Sequence, residues 1–519
     1  MSRRLFLIVM VGLLCPARLW AAKLLIAMDE AKQTNHLKAY GIAFAAIKDG
    51  SNNVEWLLNY RGGSFVMEYT APMAELCKRR KVSFEKLSNT EYTRIVTKVI
   101  KPDFNMDVVK LAQVPRIAVY TPLSKNPWDD AVTLALTYAE IPFEKLYVNE
   151  VLAGDLSKYD WLHLHHEDFT GQYGKFFASF GTTEWYLRDK KTLETLAAKN
   201  GYKKVSQMQL AVVKKIRDFV GSGGNMFAMC SATDTYDIAL AAEGTDICDN
   251  MYDGDPADKD AQKKLDFSKC FAFKGFSLVQ SAYVYEYSNI DNTLFRQVPE
   301  SLDQFTIRKQ PAKFDPVPSM LCQNHTSTVK GFMGQTTAFK NEVLKPGVAV
   351  LAETKEANEA RYIHGEYGSG SWTFYSGHDP EDYQHNVSDP VTDLANFPHS
   401  AGYRLILNNV LFPAAKKQIL PTVVYGDVES NSKYASANSA GKPAMTSRVK
   451  IFPNPSDGGL VVTISPDKIE EIVVVDGSGK EVFKKKYSSE KVTIDMNDLP
   501  AGVYLVQVNG EFAGKVVKN

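Results

Sequence analysis

A cysteine attacks a carbonyl carbon as its thiolate, so a catalytic cysteine needs a base beside it and an electropositive backbone around it. Cys230 stands where a fold supplies both, after the apolar run Asn225–Met229 and just before the helix-like stretch Asp234–Ala242. A turn from buried strand into helix brings its central side chain to a sheet edge and aims helix N–H groups at a developing oxyanion. His378, in His378-Asp379-Pro380-Glu381-Asp382, follows a further strand-like run and is the candidate base. Asp379 or Glu381 is then the carboxylate that holds its tautomer. The second cluster is His163-Leu164-His165-His166-Glu167-Asp168. Alternation along a strand puts His163 and His165 on one face and passes His166, Glu167 and Asp168 into the following loop. Such a cluster suits a divalent metal or a polar substrate. We assign His165, His166, Glu167 and Asp168 to substrate and expect no metal and no cofactor. Each reading has a plainer alternative: Cys230 as a buried core thiol, the histidine run as a packed strand with Asp168 as a cap, and residues 378–382 as a structural loop.

These residues need elements to hold them. Leu24–Ala27 reads as a short buried strand, Asn35–Ile47 as a helix and Val54–Tyr60 as a strand, which makes a first α/β unit over 23–110. From Pro115 the alternation continues: strands at Arg116–Tyr120, Phe143–Val148, Asp160–His165 and Asn225–Met229, and helices at Asp129–Ala139 and Ser206–Val220. Gly221-Ser222-Gly223-Gly224 stops the last of these. Strands alternating with helices predict a parallel sheet covered on both faces. Residues 276–307 read as β-rich, Val348–Glu353 and Ala360–Ser376 as strands, and Ala401–Leu411 as a closing helix. Residues 426–447, rich in Ser, Asn, Ala and Lys, read as a flexible linker. The short β-type runs of 448–519, separated by turns, predict a small β-sandwich.

Lys+Arg and Asp+Glu balance at 60 each, so the chain lacks the basic excess of a nucleic-acid-binding surface. Residues 1–22 have the plan of a secretory signal peptide: Arg3 and Arg4, the apolar run Leu5–Leu14, then small residues at Ala21 and Ala22. No transmembrane segment is expected in the mature chain. Removal of Cys15 with the signal leaves Cys77, Cys230, Cys248, Cys270 and Cys322, an odd number in a compartment that permits disulfides. Cys248 and Cys270 are close enough in sequence to bridge, but spacing does not decide it. Asp249, Asp253, Asp255, Asp258 and Asp260 surround Gly254 without the spacing of a calcium loop, and read as a solvated loop.

The last seventy or so residues resemble the type A sorting domain of type IX secretion. Ile451-Phe452-Pro453-Asn454-Pro455, Asp476-Gly477-Ser478-Gly479-Lys480 and Leu499-Pro500-Ala501-Gly502-Val503-Tyr504 carry the resemblance. It implies export through the periplasm and across the outer membrane by the type IX machinery, loss of the domain, and attachment to the surface or release. Residues ~23–425 resemble a family of secreted bacterial proteins labelled asparagine synthetase B, on Asn35-His36-Leu37-Lys38-Ala39-Tyr40-Gly41, Trp161–Asp168 and His378–Tyr383. The N-terminal cysteine and the SGGLDS-type loop of a true synthetase are missing, so synthetase activity is not expected. The run Gly224–Thr233 is similar to the nucleophile turn of class I glutamine amidotransferases, with Ala228 and Ala232 at its two glycine positions.

The sequence thus predicts an α/β protein with a mainly parallel, flavodoxin- or amidotransferase-like sheet over 111–425, followed by the C-terminal sandwich. The expected function is a Cys-dependent amidase or hydrolase acting outside the cell. The alternative is a catalytically silent surface module that binds a glycan, a peptide or another small molecule. No nucleic acid is expected as a partner.

Overall fold

The computed structural model describes residues 22–518 other than 51–52, 102, 122–129, 293–298, 314, 385–388, 416–448, 453–455, 457, 465–467, 477–479 and 510. The expected signal peptide, save Ala22, and the expected linker lie outside the described residues.

Short apolar runs near the start form β1 (Lys23–Ile26), β2 (Val54–Leu58), β3 (Ser64–Glu68), β4 (Glu85–Leu87) and β5 (Asp107–Leu111). Their order is β4-β1-β3-β2-β5, with every pair antiparallel. The helix His36–Asp49 buries its apolar face beside this sheet. The Asn35 side chain caps it by accepting the Lys38 N–H at 2.9 Å, and Gly50 ends it at φ 69°. A Cβ on Gly41 would lie 1.7 Å from the Ala139 carbonyl oxygen, so glycine is what lets this helix meet the helix Ala131–Ala139.

His36 turns out to be a structural residue. Its Nε2 lies 3.0 Å from the Met28 carbonyl oxygen and its Nδ1 2.9 Å from Nδ1 of His399. Its ring stacks on His325 with centroids 4.2 Å apart, and Arg404 Nη1 lies 3.1 Å from His325 Nδ1. Burial first, and then the Arg404 charge, push His36 down to about 2 and His325 down to about 3. Both rings are therefore neutral when folded, whereas the unfolded chain protonates them below about 6.5. Their contribution to stability is complete above that value and is lost as the pH falls towards the folded value. For the fully buried His36 the slope is about 1.4 kcal/mol per pH unit. We expect the stability of His36→Gln, followed by urea unfolding between about pH 4 and 6, to fall with acid less steeply than wild type by about one proton. An unchanged slope would remove this cluster from the acid response.

The principal sheet contains β6 (Ile117–Tyr120), β7 (Glu144–Leu146), β8 (Trp161–Leu164), β9 (Asn225–Met229), β10 (Gln304–Ile307), β11 (Thr328–Lys330), β12 (Phe339–Lys340), β13 (Ala349–Thr354), β14 (Glu359–Tyr367) and β15 (Gly370–Tyr375). The order is β11-β10-β13-β14-β15-β9-β8-β6-β7, and β12 pairs with β14. The pairings from β15 through β9, β8 and β6 to β7 are parallel, and helices make the crossovers from β6 to β7, β7 to β8 and β8 to β9. The remaining pairings are antiparallel, so the sheet is mixed rather than mainly parallel. The reason is connection length. Only Gly368 and Ser369 separate β14 from β15, and a two-residue turn can join antiparallel neighbours only. Residues 276–307 are also less β-rich than expected: among the described residues the only strand is β10. Period-two alternation sends Val119, Trp161, Phe227 and Tyr375 to one apolar core and Ala118, Leu162, Ala228 and Phe374 to the other.

The C-terminal segment forms β16 (Val449–Phe452), β17 (Gly459–Ile464), β18 (Ile469–Asp476), β19 (Glu481–Ser489), β20 (Lys491–Asp495), β21 (Gly502–Val508) and β22 (Glu511–Lys518). They build two antiparallel sheets, β16-β17-β20 and β19-β18-β21-β22, which share a core that includes Leu460, Val462, Ile472, Val474 and Val506. This is the expected sandwich. The Tyr504 hydroxyl ties a corner of it by donating to the Pro500 carbonyl at 2.6 Å.

Cys77, Cys230, Cys248, Cys270 and Cys322 are all free. Cys248 Sγ faces the Thr170 carbonyl at 3.3 Å and Cys270 Sγ the Asp237 carbonyl at 3.4 Å, so these two are not bridged. In the acidic loop, Asp253 and Asp255, together with Asp246, surround the Lys204 ammonium, which supplies their countercharge. Among the described residues no helix is long and apolar enough to cross a membrane.

Candidate functional site

Three neighbouring parallel strands, β8, β9 and β15, end together, and the chemistry-bearing residues stand just past their carboxyl ends. In-register pairs Leu164↔Ala228 and Met229↔Tyr375 fix this alignment. His165 and His166 follow β8, Cys230 follows β9 and His378 follows β15. The carboxyl ends of parallel strands are where open α/β sheets hold ligands.

Cys230 has φ 52°, a left-handed conformation that costs a non-glycine residue roughly 1 kcal/mol or more. The turn joins β9 to the helix Ala232–Ala241 without an intervening loop. Several bonds hold it. Cys230 N–H donates to the Gly377 carbonyl at 3.2 Å, and the Ser231 hydroxyl donates to the His166 carbonyl at 2.9 Å. The Gln335 N–H donates to Cys230 Sγ at 3.3 Å. Burial pushes the thiol up to about 11, while the N–H groups of Gln335, Ser231 and Thr336 work in the opposite sense by favouring the thiolate. The side chain is only 4 % exposed.

The segment carrying Gln335 was not singled out from the sequence, yet it closes the site. Met333 accepts the His378 N–H at 2.9 Å, and Gly377 donates to the Thr336 carbonyl at 2.8 Å. A Cβ on Gly334 would sit 2.8 Å from the Gly377 carbonyl carbon and the His378 nitrogen, so the backbones meet where glycine leaves room. The readable signal was Gly331-Phe332-Met333-Gly334-Gln335-Thr336-Thr337, a glycine-spaced polar run between strands.

His165, His166 and His378 converge, with one ring nitrogen of each within 4.8 Å of the other two. The His165 ring lies edge-on to His166 at 4.3 Å and to His378 at 4.6 Å between centroids. Asp130 was also missed, although it reads as an N-cap of the helix Ala131–Ala139 and accepts the Val132 N–H at 2.9 Å. Its Oδ1 lies 3.1 Å from His163 Nε2 and 3.3 Å from His165 Nδ1. Burial disfavours its charge, but His163 and His165 overcome this and hold the carboxyl below the usual range. Asp379 and Glu381 serve elsewhere. Asp379 accepts the Glu381 N–H at 2.9 Å and faces Thr392 and Tyr403, and Glu381 faces Ser400. Asp130 is a carboxylate that lies against this imidazole cluster, at His165.

Glu167 is buried, and burial followed by the charges of Asp168 and Asp130 pushes it up to about 8. Asp168 organises its own loop, accepting from Thr170 N–H at 2.7 Å, the Thr170 hydroxyl at 2.6 Å and Gly174 N–H at 3.0 Å. His166 and Glu167 also line a cavity of about 520 Å³ walled by Tyr173, Phe176, Trp185 and Tyr186.

Comparison with known proteins decides one region. The family model of the secretion-system C-terminal sorting domain matches residues 450–519. These residues are a type IX sorting domain. The chain is therefore exported by type IX secretion to the cell surface or the extracellular space, which implies interaction with that machinery. We expect mass spectrometry of the surface-exposed mature protein to recover peptides up to residue ~415 and none from Ile451 onward. Recovery of the sandwich on that material would contradict its removal. No curated protein matches the chain. Among solved structures, a DUF3244-family immunoglobulin-like β-sandwich from Bacteroides vulgatus is 21% identical and covers 14% of this chain and 85% of its own, with TM-score 0.12. A cytoplasmic protein of Salmonella typhimurium is 13% identical over 58% of this chain and 100% of its own, with TM-score 0.31. A β-galactosidase from Bacillus circulans is 12% identical over 75% of this chain and 41% of its own, with TM-score 0.23. Likenesses this loose carry no functional argument, and none of these comparisons supports the asparagine synthetase label.

Proposed function

We propose that this exported chain is a cysteine-dependent hydrolase of carbonyl compounds, amides foremost, built on an amidotransferase-like arrangement of the parallel strands. The observation that carries the reading is Cys230 at φ 52° between a buried parallel strand and a helix. Such a position stores strain and puts a side chain at a helix start, which is what a nucleophile turn needs. In the proposed reaction the thiol proton passes to the imidazole cluster, with His378 as acceptor. The thiolate attacks the carbonyl carbon, and N–H groups at the helix start stabilise the oxyanion. Collapse expels the amine, which takes the proton back from imidazole, and water then releases the acid from the thioester. His165, steadied by Asp130, holds the cluster; His166 and Glu167 border the substrate.

A second reading, a silent binding module for a glycan or peptide, draws on a separate observation: the aromatic cavity reaches His166 and Glu167, but Cys230 is not in its lining. A panel of γ-glutamyl and N-acyl anilides tests the two. Turnover by wild type that disappears in Cys230→Ser supports the hydrolase. Turnover equal in both proteins, or ligand binding with no turnover, overturns it.

A further inference from the structure

We propose that His165, His166 and His378 form a mononuclear site for a divalent transition-metal ion of the zinc type. Three imidazoles with no thiolate in the set select for zinc, cobalt, nickel or copper over magnesium or calcium, which take oxygen ligands. A set of three protein ligands leaves one position of a tetrahedral ion for water or a ligand.

The geometry carries this. One ring nitrogen from each histidine lies within 4.8 Å of the other two. Tetrahedral zinc with bonds of ~2.05 Å spaces its nitrogens ~3.4 Å apart. Closing around an ion therefore asks each pair to approach by no more than about 1.4 Å, within reach of ring rotations. The outer residues are also of the right kind. Asp130 Oδ1 lies 3.3 Å from His165 Nδ1, close enough to orient that ring. A carboxylate behind a ligating histidine is the usual outer support of a zinc site. The backbones are held too: the His166 carbonyl accepts the Ser231 hydroxyl, and the His378 N–H donates to Met333. Ligands borne by tightly bonded strand ends lose little freedom on binding.

The site shares His378 with the proposed thiol chemistry, and one consequence rests on that reading. An imidazole that ligates a metal cannot accept a proton, so metal occupancy and thiol-dependent hydrolysis exclude one another, and added zinc inhibits turnover.

The test uses the full mature chain, stripped with chelator and titrated with Co²⁺ and Zn²⁺. We expect one equivalent of Co²⁺ to bind with visible bands of low-coordinate nitrogen ligation, and Zn²⁺ to displace it. His165→Ala, His166→Ala and His378→Ala should each weaken binding by about 10-fold or more, while His325→Ala, in the histidine cluster at Arg404, should leave it unchanged. Circular dichroism excludes misfolding, and Asp130→Asn gives an independent arm: the ligands remain, and affinity falls by about 10- to 100-fold. Absence of saturable binding overturns the site, as does binding that survives all three histidine changes. Binding lost in Asp253→Asn instead assigns the metal to the acidic loop and also overturns it. Binding as expected but without inhibition of Cys230-dependent turnover leaves the metal site standing and removes His378 as the thiol's base.

Discussion

Arg361→Ala is expected to destabilise the principal sheet by about 3–5 kcal/mol. Arg361 lies on β14 with no solvent exposure. Its Nη1 is 3.4 Å from Asp303 Oδ1 and 3.8 Å from Glu359 Oε1, and its Nη2 donates to the Phe332 carbonyl at 2.7 Å. The guanidinium also lies 5.2 Å from the Phe305 ring centroid. Truncation leaves two carboxylates in a dry interior without their counter-ion, and that penalty exceeds the loss of the contact itself. Arg361→Lys keeps the charge but not the fork that serves a carboxylate and a carbonyl together, so an intermediate loss is expected. The effect should reach the site. The Arg361 carbonyl accepts both the Ser376 N–H and its hydroxyl at 2.9 Å, two residues before His378, and Phe332 precedes the Met333–Thr336 segment that binds Cys230. Urea unfolding of wild type and both variants measures this. A loss below about 1 kcal/mol for Arg361→Ala would mean that the carboxylates find other donors.

The second large effect is on chemistry. Cys230→Ser should remove essentially all hydrolysis, and Cys230→Ala should do the same while keeping the fold. Serine preserves the turn but lacks a thiolate, and removal of a nucleophile typically costs several orders of magnitude. The resting thiol is pushed up to about 11, so below that pH the enzyme reacts through proton transfer to imidazole rather than through a standing thiolate. His378→Ala should therefore lower kcat with far less effect on KM. Raising the pH towards about 11 should restore part of the rate, because solvent then removes the proton. If His378→Ala leaves the pH profile unchanged, the base lies elsewhere.

How much of this could be read from the sequence depended on the range of the signal. Asn225–Met229 and Ala401–Leu411 were legible to the residue because apolar periodicity and their flanking stops are local. The grouping of Arg116–Tyr120, Asp160–His165 and Asn225–Met229 into one parallel set followed from the helices between them. The antiparallel half was missed because strand direction there depends on pairings of β10, β11 and β13 set by distant contacts, and short apolar runs do not reveal partners. The site was legible in residue type but not in role. His165, His166, Cys230 and His378 do gather at one sheet edge. Asp379 and Glu381, adjacent in sequence to His378, face Tyr403 and Ser400 instead, whereas Asp130 arrives from a helix start far up the chain. Sequence proximity does not show these contacts, because a turn at Pro380 follows His378. Asn35–Gly41, one of the runs that carry the family resemblance, caps a helix and packs in the core.

The central claim is that Cys230 is a nucleophile, and acyl transfer from p-nitrophenyl acetate tests it most directly. Five free thiols compete, and by exposure alone the partly exposed Cys322 should react before the 4 % exposed Cys230. The account predicts the reverse: a burst of one nitrophenolate per chain, with the acetyl thioester mapped by peptide mass spectrometry to Cys230, and a burst greatly slowed in His378→Ala. Acetylation of Cys322 first, or no burst while the other thiols label slowly, would contradict it.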